Sequence, residues 1–288
     1  MLAAALVVAL SALLAFVPAS RSTLEPARSP AGENTLTVAT WNLCGVERWG
    51  CTGGQSAKAA AVRRLARAGA QVLFLQEACA RVVAGVRQAL GPSWSLSFRP
   101  YTWHDRSGRS RTVRCDGPDR GAAGLAILSA RPLSEVDEVV SPQPAAGLRR
   151  GILCATVAAW DVRVCNAHLS LPDGDPAGPG REYRGGQLRA LTAHVPARRT
   201  VFGGDFNLRP PGAGGRADRL WPGTAYRTHR ECDQTSDTDR SARPTHESGT
   251  KLDYLFTGLR VTGCRVEDTG VSDHRALVMR VDGLSGTG

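Results

Sequence analysis

Residues Thr35 to Asn42 (TLTVATWN) alternate apolar and polar side chains with the period of a half-buried strand. The period then changes. From Gln55 to Ala68 apolar residues fall at helical spacing among Ala and Arg, and Gly69 stops the run. Val72 to Leu75 is a continuous apolar stretch, read as a buried strand, and it ends on Gln76 and Glu77. Arg81 to Leu90 predicts a second amphipathic helix, closed by Gly91-Pro92. Residues 94–120 predict an irregular basic segment. Strands are expected at Gly124–Ser129 and Val136–Val140, then a hairpin of residues 151–157 and 162–168 around Ala159-Trp160-Asp161. A loop rich in Pro, Gly and Asp at 172–180 leads to a helix over Tyr183–His194 and a short buried strand over Thr200–Gly204. Polar loops at 209–219 and 228–250 precede closing strands at Leu252–Phe256 and Ala276–Val281. No repeat and no linker separates two cores. Strands mixed with helices predict one α/β domain over residues 35–283 with more than one sheet, and a disordered end at 284–288.

The N-terminal residues obey another rule. Met1 to Ala19 carry no charge, and a run of this length sits between a signal-peptide core and a membrane helix. Val17-Pro18-Ala19 offers small residues where a signal peptidase reads, followed by a flexible tail over 20–34. An export signal over 1–19 and a secreted chain are expected. An uncleaved, outward-facing anchor is the alternative, and only in that case would the protein contact a membrane. The 8 cysteines agree with export: they are even in number and lack CxxC spacing, which argues for disulfides and against zinc. In the hairpin, setting Leu153, Ala155 and Val157 against Asn166, Val164 and Val162 places Cys154 opposite Cys165. Closeness in the chain pairs Cys44 with Cys51 and Cys232 with Cys264.

Composition adds less. With 42% apolar residues the 288-residue chain can build a large core, which excludes a disordered chain. The net charge is +10, and all basic residues but Lys58 and Lys251 are Arg. Guanidinium pairs with phosphate in a bidentate way, yet a genome rich in Arg codons gives the same excess. Charge alone names no substrate.

The informative pattern is where polar residues interrupt the apolar runs. Asn42 and Glu77 end the first two strands, His168 follows VRVCNA, and Asp205 and Asn207 follow TVFGG. Asp253 lies in KLDYLF, and Asp273-His274 precede the last strand. Each alone reads as a turn former, but six strand ends of this kind in one domain place polar groups on a common sheet edge. The ordered set WN, QE, NAHL, GDFN, LDY and SDH resembles the endonuclease/exonuclease/phosphatase superfamily over residues 36–282. The resemblance implies a four-layer α/β sandwich, two mixed β-sheets packed face to face with helices on the outside. It also implies a hydrolase acting on phosphoester bonds.

Hydrolysis of a phosphoester needs charge neutralisation on the phosphate oxygens, an in-line water and support for the leaving oxygen. Hard oxygen ligands suit Mg²⁺, with Mn²⁺ or Ca²⁺ as alternatives. Glu77 is the leading metal-ligand candidate, with Asn42 beside it and Asp273 across the site. Asp205 would orient or deprotonate the attacking water, and Asn207 would hold that Asp or a phosphate oxygen. His168 and His274 would bind the scissile phosphate, with Asp253 fixing the tautomer of one of them. Cys44 stands where abasic-site enzymes tend to carry an acid, which lowers the case for that branch and for two metals. Arg184 and Gln187 are expected at an exposed helix start, and Asn166 as a plain strand residue.

Several substrates fit this centre. Residues 99–120 carry six Arg against three Asp, with Tyr101, Trp103 and His104 interleaved, and Arg106, Arg109 and Arg111 are the candidate substrate contacts. No exposed apolar hairpin marks a lipid-entering surface. The expectation is therefore a monomeric phosphodiesterase acting on nucleic acid, DNA first. A sphingomyelinase-like or inositol-phosphate enzyme is the alternative, and a non-catalytic binding module is the remaining one.

Overall fold

The alternation of Thr35–Asn42 resolves into two apolar faces. Leu36 and Val38 enter one core and Ala39 and Trp41 another, as a two-sided strand requires. The computed structural model describes residues 34–212 and 215–284; the expected export signal, nearly all of the tail and residues 285–288 lie outside these. Among the described residues the first strands are β1 (Thr35–Asn42), β2 (Val72–Cys79), β3 (Ser95–Pro100), β4 (Thr102–His104) and β5 (Ser110–Thr112). Next come β6 (Ala123–Ser129), β7 (Leu133–Glu138), β8 (Gly147–Arg149), β9 (Gly151–Val157) and β10 (Val162–His168). The last are β11 (Thr200–Asp205), β12 (Arg230–Glu231), β13 (Asp253–Thr257), β14 (Arg260–Glu267) and β15 (Ala276–Asp282). The longer helices are α1 (Gln55–Arg67), α2 (Ala80–Leu90) and α3 (Arg184–His194).

Two six-stranded mixed sheets form, in the orders β14-β15-β1-β2-β6-β3 and β12-β13-β11-β10-β9-β7. Between them lies a core of Val38, Phe74, Ile127, Leu153, Val164, Val201 and Leu255. On the outer face of the first sheet, Val62 and Leu65 of α1 and Val83 and Val86 of α2 pack on Trp41, Leu73 and Leu128. Leu188 and Leu191 of α3 cover the second sheet with Ile152, Phe202 and Phe256. The layers are helix, sheet, sheet, helix: the expected four-layer α/β sandwich.

A buried polar strut crosses the central core. Asn166 of the second sheet donates through Nδ2 to the Leu75 and Ala126 carbonyls of the first at 3.0 and 2.9 Å. Its Oδ1 accepts from Gln76 Nε2 at 2.7 Å, so Asn166 ties the sheets together and is more than a plain strand residue.

The hairpin register matches expectation, with Cys154 opposite Cys165, and these two form a disulfide. Cys44–Cys51 and Cys232–Cys264 also pair, and Cys79–Cys115 completes the set.

The structure corrects other expectations. Residues 94–120 are not irregular: β3 pairs with β6, and β4 and β5 join β8 in a separate three-stranded sheet. Three-residue strands are too short to carry a period, which is why the sequence hides them. The strand expected at Val136–Val140 starts earlier, at Leu133, and leaves Val140 exposed. β14 is an unforeseen edge strand whose half-exposed, mixed side chains resemble loop composition. Leu284, expected in a disordered end, is buried, and its carbonyl accepts from Arg199 Nη1 at 3.3 Å.

Candidate active site

Strand register builds the site. His168 lies opposite Asp205 in the parallel β10–β11 pair, and Asp205 opposite Asp253 in the antiparallel β11–β13 pair. Gly151, opposite His168 on β9, extends this row, with Arg150 just before it. Gly204 permits the close pairing: its φ is +131°, and a Cβ there would come within 1.8 Å of the Ala167 carbonyl oxygen. The first sheet supplies Asn42 at the end of β1, Glu77 one residue past its partner Gln76, and Asp273-His274 leading into β15. Glu77 has a φ of 51° where the β2–β6 pairing shifts register, a bulge that re-aims its side chain. Asn207 and Cys44 have φ of 50° and 47°, so three non-glycine residues at the site hold left-handed backbone. The polar residues among these, apart from Gln76 and the fully buried Asp253, line a cleft of about 650 Å³.

Asp205 is the hub. Its Oδ2 accepts from Asn42 Nδ2 at 3.0 Å and from His168 Nε2 at 3.3 Å, and its Oδ1 accepts from the Asn207 backbone N–H at 2.8 Å. Burial alone would raise its pKa, but the His274 and His168 imidazoles and these donors hold the carboxyl well below the usual range. A carboxylate held so low orients a water by hydrogen bonding and is a weak general base. Asn207 also anchors the loop, its Nδ2 donating to the Leu169 carbonyl at 3.1 Å, and it borders the cleft. The loop is braced from below: Phe206 stacks on Tyr254, whose hydroxyl donates to the Leu208 carbonyl at 2.7 Å.

The open question of which histidine meets Asp253 is answered by geometry. His274 Nδ1 donates to Asp253 Oδ2 at 2.8 Å. Burial opposes the charge on His274, but the Asp253 and Asp205 carboxylates raise its pKa to about 10, so it is an imidazolium at neutral pH. Its Nε2 lies 3.8 Å from Asp205 Oδ2 and borders the cleft. His168 has the opposite character. Burial pushes it down to about 4, and the Arg150 guanidinium adds to the effect, so it is neutral. The Tyr101 hydroxyl accepts the Glu77 backbone N–H at 3.1 Å and donates to His168 Nδ1 at 2.7 Å, which leaves the Nε2 proton facing Asp205.

Tyr101 thus positions His168, a part that nothing in its sequence neighbourhood marks, since it is one aromatic among several in a basic segment. Replacing it with Phe frees the neutral imidazole to change tautomer. The expected result is a fall in kcat of about tenfold or more with little change in KM, alongside an altered pH profile. Steady-state kinetics across pH checks this; an unchanged profile would remove Tyr101 from the site.

Two buried cations also escaped the sequence. Arg150 borders the cleft, and its buried Nε has no hydrogen-bond partner among the described residues. Lys58 is fully buried in α1, donates to the Cys44 carbonyl, and is pushed down by burial while Asp273 and Glu77 hold it up. No local motif marks either one.

For a divalent cation, Glu77 fits. Burial pushes its carboxyl up to about 7 against the pull of Arg150, so its negative charge is under-compensated and a cation beside it would restore the balance. Asp273 lines the same cleft but groups with His246 and His274, whereas Glu77 lies beside the Cys44–Cys51 disulfide. Asn42 has both polar side-chain atoms engaged, its Oδ1 accepting from the Cys44 N–H at 2.9 Å. His246 is a further cleft residue that sat unseen in a polar loop.

The basic candidates separate. Arg109 is neutralised by Asp105 at 3.1 Å, and Arg106 Nη2 reaches the Pro176 carbonyl at 3.4 Å. Arg111 lies over Trp103, 6.0 Å from the ring centre. Arg184 and Gln187 are buried, against expectation. Arg184 donates to the Asn207 carbonyl, and Gln187 holds Ser170, so both brace the loops that carry Asp205 and His168.

The two-sheet α/β sandwich thus brings paired His and carboxylate residues from its strand ends to one cleft. The sequence profile of the endonuclease/exonuclease/phosphatase family matches residues 39–274, and the chain belongs to that family. No curated protein sequence matches. The fold is similar to that of D. rerio TDP2 complexed with a single strand DNA product: 16% identity, TM-score 0.59, 86% of this chain and 99% of that one. It is also similar to an AP endonuclease from Archaeoglobus fulgidus, at 17% identity and TM-score 0.54 over 86% and 100% of the two chains. The Haemophilus ducreyi cytolethal distending toxin is 24% identical, with TM-score 0.52 over 86% and 98%.

Proposed function

We propose that the protein is an exported, Mg²⁺-dependent phosphodiesterase that cuts nucleic acid, with DNA its first substrate. One observation carries the reading: the cleft sets the cationic His274 and Arg150 around an ionised Asp205, next to an arginine-bearing aromatic hairpin. An anionic diester fits such a cleft. His274 and Arg150 hold its oxygens, Asp205 orients the water, and neutral His168, fixed by Tyr101, offers its Nε2–H to the reacting group. Glu77 and Asp273 would hold the metal, which when bound lowers the charge on the phosphate oxygens. D. rerio TDP2 has been crystallised with a single strand DNA product, which supports nucleic acid as the polymer. Four disulfides support an oxidising destination and hence export of the mature chain.

The test is one panel: plasmid DNA, RNA, sphingomyelin and inositol phosphates, each with Mg²⁺ or EDTA. Cleavage of DNA with Mg²⁺ alone is expected. Release of phosphocholine or phosphate with the nucleic acids left intact would replace the reading with a lipid or inositol phosphoesterase. Among the basic residues, Arg111→Gln should weaken DNA cleavage several-fold more than cleavage of a small diester, and Arg109→Gln should matter less, because Asp105 already neutralises Arg109.

A further inference from the structure

Trp103 is 37% exposed, an unusual setting for a large aromatic side chain at the mouth of a polar cleft. It occupies the middle of β4, with Arg111 opposite on β5 and Leu148 opposite on β8, so a rigid three-stranded sheet holds its ring. The Cys79–Cys115 disulfide ties that sheet to the end of β2, two residues past Glu77. Trp103 and Trp49 border the catalytic cleft, and the same two residues border a second groove of about 460 Å³. Arg48, Arg111 and Arg114 line this second groove. Arg48 is held by Asp116 at 2.6 Å, whereas the guanidinium groups of Arg111 and Arg114 meet no carboxylate among the described residues. An indole, with Arg111 6.0 Å from its ring centre, thus separates the cleft from a groove whose Arg111 and Arg114 meet no carboxylate among the described residues.

Polynucleotide strands match this order of groups. A phosphate in the cleft is followed along the chain by a base with a flat π-face and then by further phosphates. Inside a duplex both faces of every base are covered by its neighbours, so away from the ends only an unpaired base can lie on an indole. We infer that Trp103 is a stacking platform for an unpaired nucleobase adjoining the scissile phosphate, with Arg111 and Arg114 holding the phosphates beyond it. Single-stranded polynucleotide is then the preferred form of substrate. This rests on the nuclease reading and narrows it.

The experiment uses the full mature chain. In EDTA, oligothymidylate should quench the tryptophan fluorescence of the wild type and quench Trp103→Ala far less. With Mg²⁺, Trp103→Ala should raise KM for oligothymidylate by about tenfold, and Trp103→Phe should recover most of that loss. The loss should exceed, by about the same factor, any loss on a covalently closed DNA duplex or on bis(4-nitrophenyl) phosphate. In Arg111→Gln/Arg114→Gln, the slope of log affinity against log salt should flatten by about 1.4, two single-strand phosphate contacts. An oligothymidylate KM unchanged in Trp103→Ala overturns the inference while leaving the nuclease reading intact. Equal losses on all three substrates also overturn it, since Trp103 would then act through the shape of the cleft. If the wild type hydrolyses the small diester but no nucleic acid, or if phosphatidylcholine vesicles and not oligothymidylate change the fluorescence, both readings fall.

Discussion

Replacing Asp205 by Ala should lower kcat on any phosphodiester by roughly a thousandfold or more while the chain stays folded. The size follows from how many groups converge on one carboxylate. Asn42, His168 and the Asn207 backbone all donate to it, and His274 faces it at 3.8 Å. Without it the water loses its acceptor and the neutral His168 loses the partner that fixes its Nε2 proton. His274 keeps Asp253 but loses a second carboxylate, so its pKa should drop from about 10 toward the ordinary value. An NMR titration of the His274 ring reads that drop independently of turnover. Asp205→Asn keeps the shape and removes the charge, and it should be nearly as inactive. Retention of more than a tenth of wild-type activity by either variant would move the hub of the site elsewhere.

Glu77→Gln should separate stability from activity. Folded Glu77 takes up its proton near 7, whereas an ordinary carboxyl does so near 4.5. Between these values the folded chain holds a proton that the unfolded chain has released, so stability falls as pH climbs through the interval. Above it the penalty is complete, on the order of 3 kcal/mol. The metal-free Glu77→Gln protein should therefore melt several degrees higher than the wild type near pH 8, and the advantage should vanish near pH 4. Its Mg²⁺-dependent turnover should fall about a hundredfold or more. A cation bound by Glu77 competes with the proton, so Mg²⁺ should raise the wild-type melting temperature more at pH 8 than at pH 6, and this effect should be lost in the variant. Calorimetry with and without Mg²⁺ decides it. An equal response of both proteins to Mg²⁺ would remove Glu77 from the metal site.

The convergence of these polar groups was legible in the sequence because an apolar run with one polar terminus announces both a strand and the edge on which that group stands. Asn42, His168 and Asp205 end their strands and Asp253 begins one, while Glu77 sits at a bulge near the end of β2 and His274 just before β15; pairing register, which depends on the apolar pattern, brings them into one row or face to face. Tyr101, Arg150 and Lys58 were not legible because their roles come from tertiary placement. Tyr101 precedes a three-residue strand in a basic stretch, Arg150 is one Arg among many, and Lys58 sits in a helix whose charged residues read as solvent-facing. The partner of Asp253 could not be chosen either, since two histidines compete and only the approach of β13 to the segment before β15 decides between them. Bulges are invisible for a related reason: the left-handed turn at Glu77 depends on how β6 pairs beside it, not on the residues QE themselves.

The strut between the sheets has a consequence for how the enzyme meets its surroundings. Asn42, Glu77 and His274 ride on one sheet, while His168, Asp205 and Asp253 ride on the other. A slip of one residue along a strand, about 3.3 Å, would carry Asn42 out of reach of Asp205 and scatter the set. Asn166 and Gln76 block that slip from inside, and the Cys232–Cys264 bond clamps the rim between β12 and β14. The two halves are therefore assembled before any substrate arrives. Dilution alone cannot pull the two halves apart, because the ties between them lie inside one covalent chain.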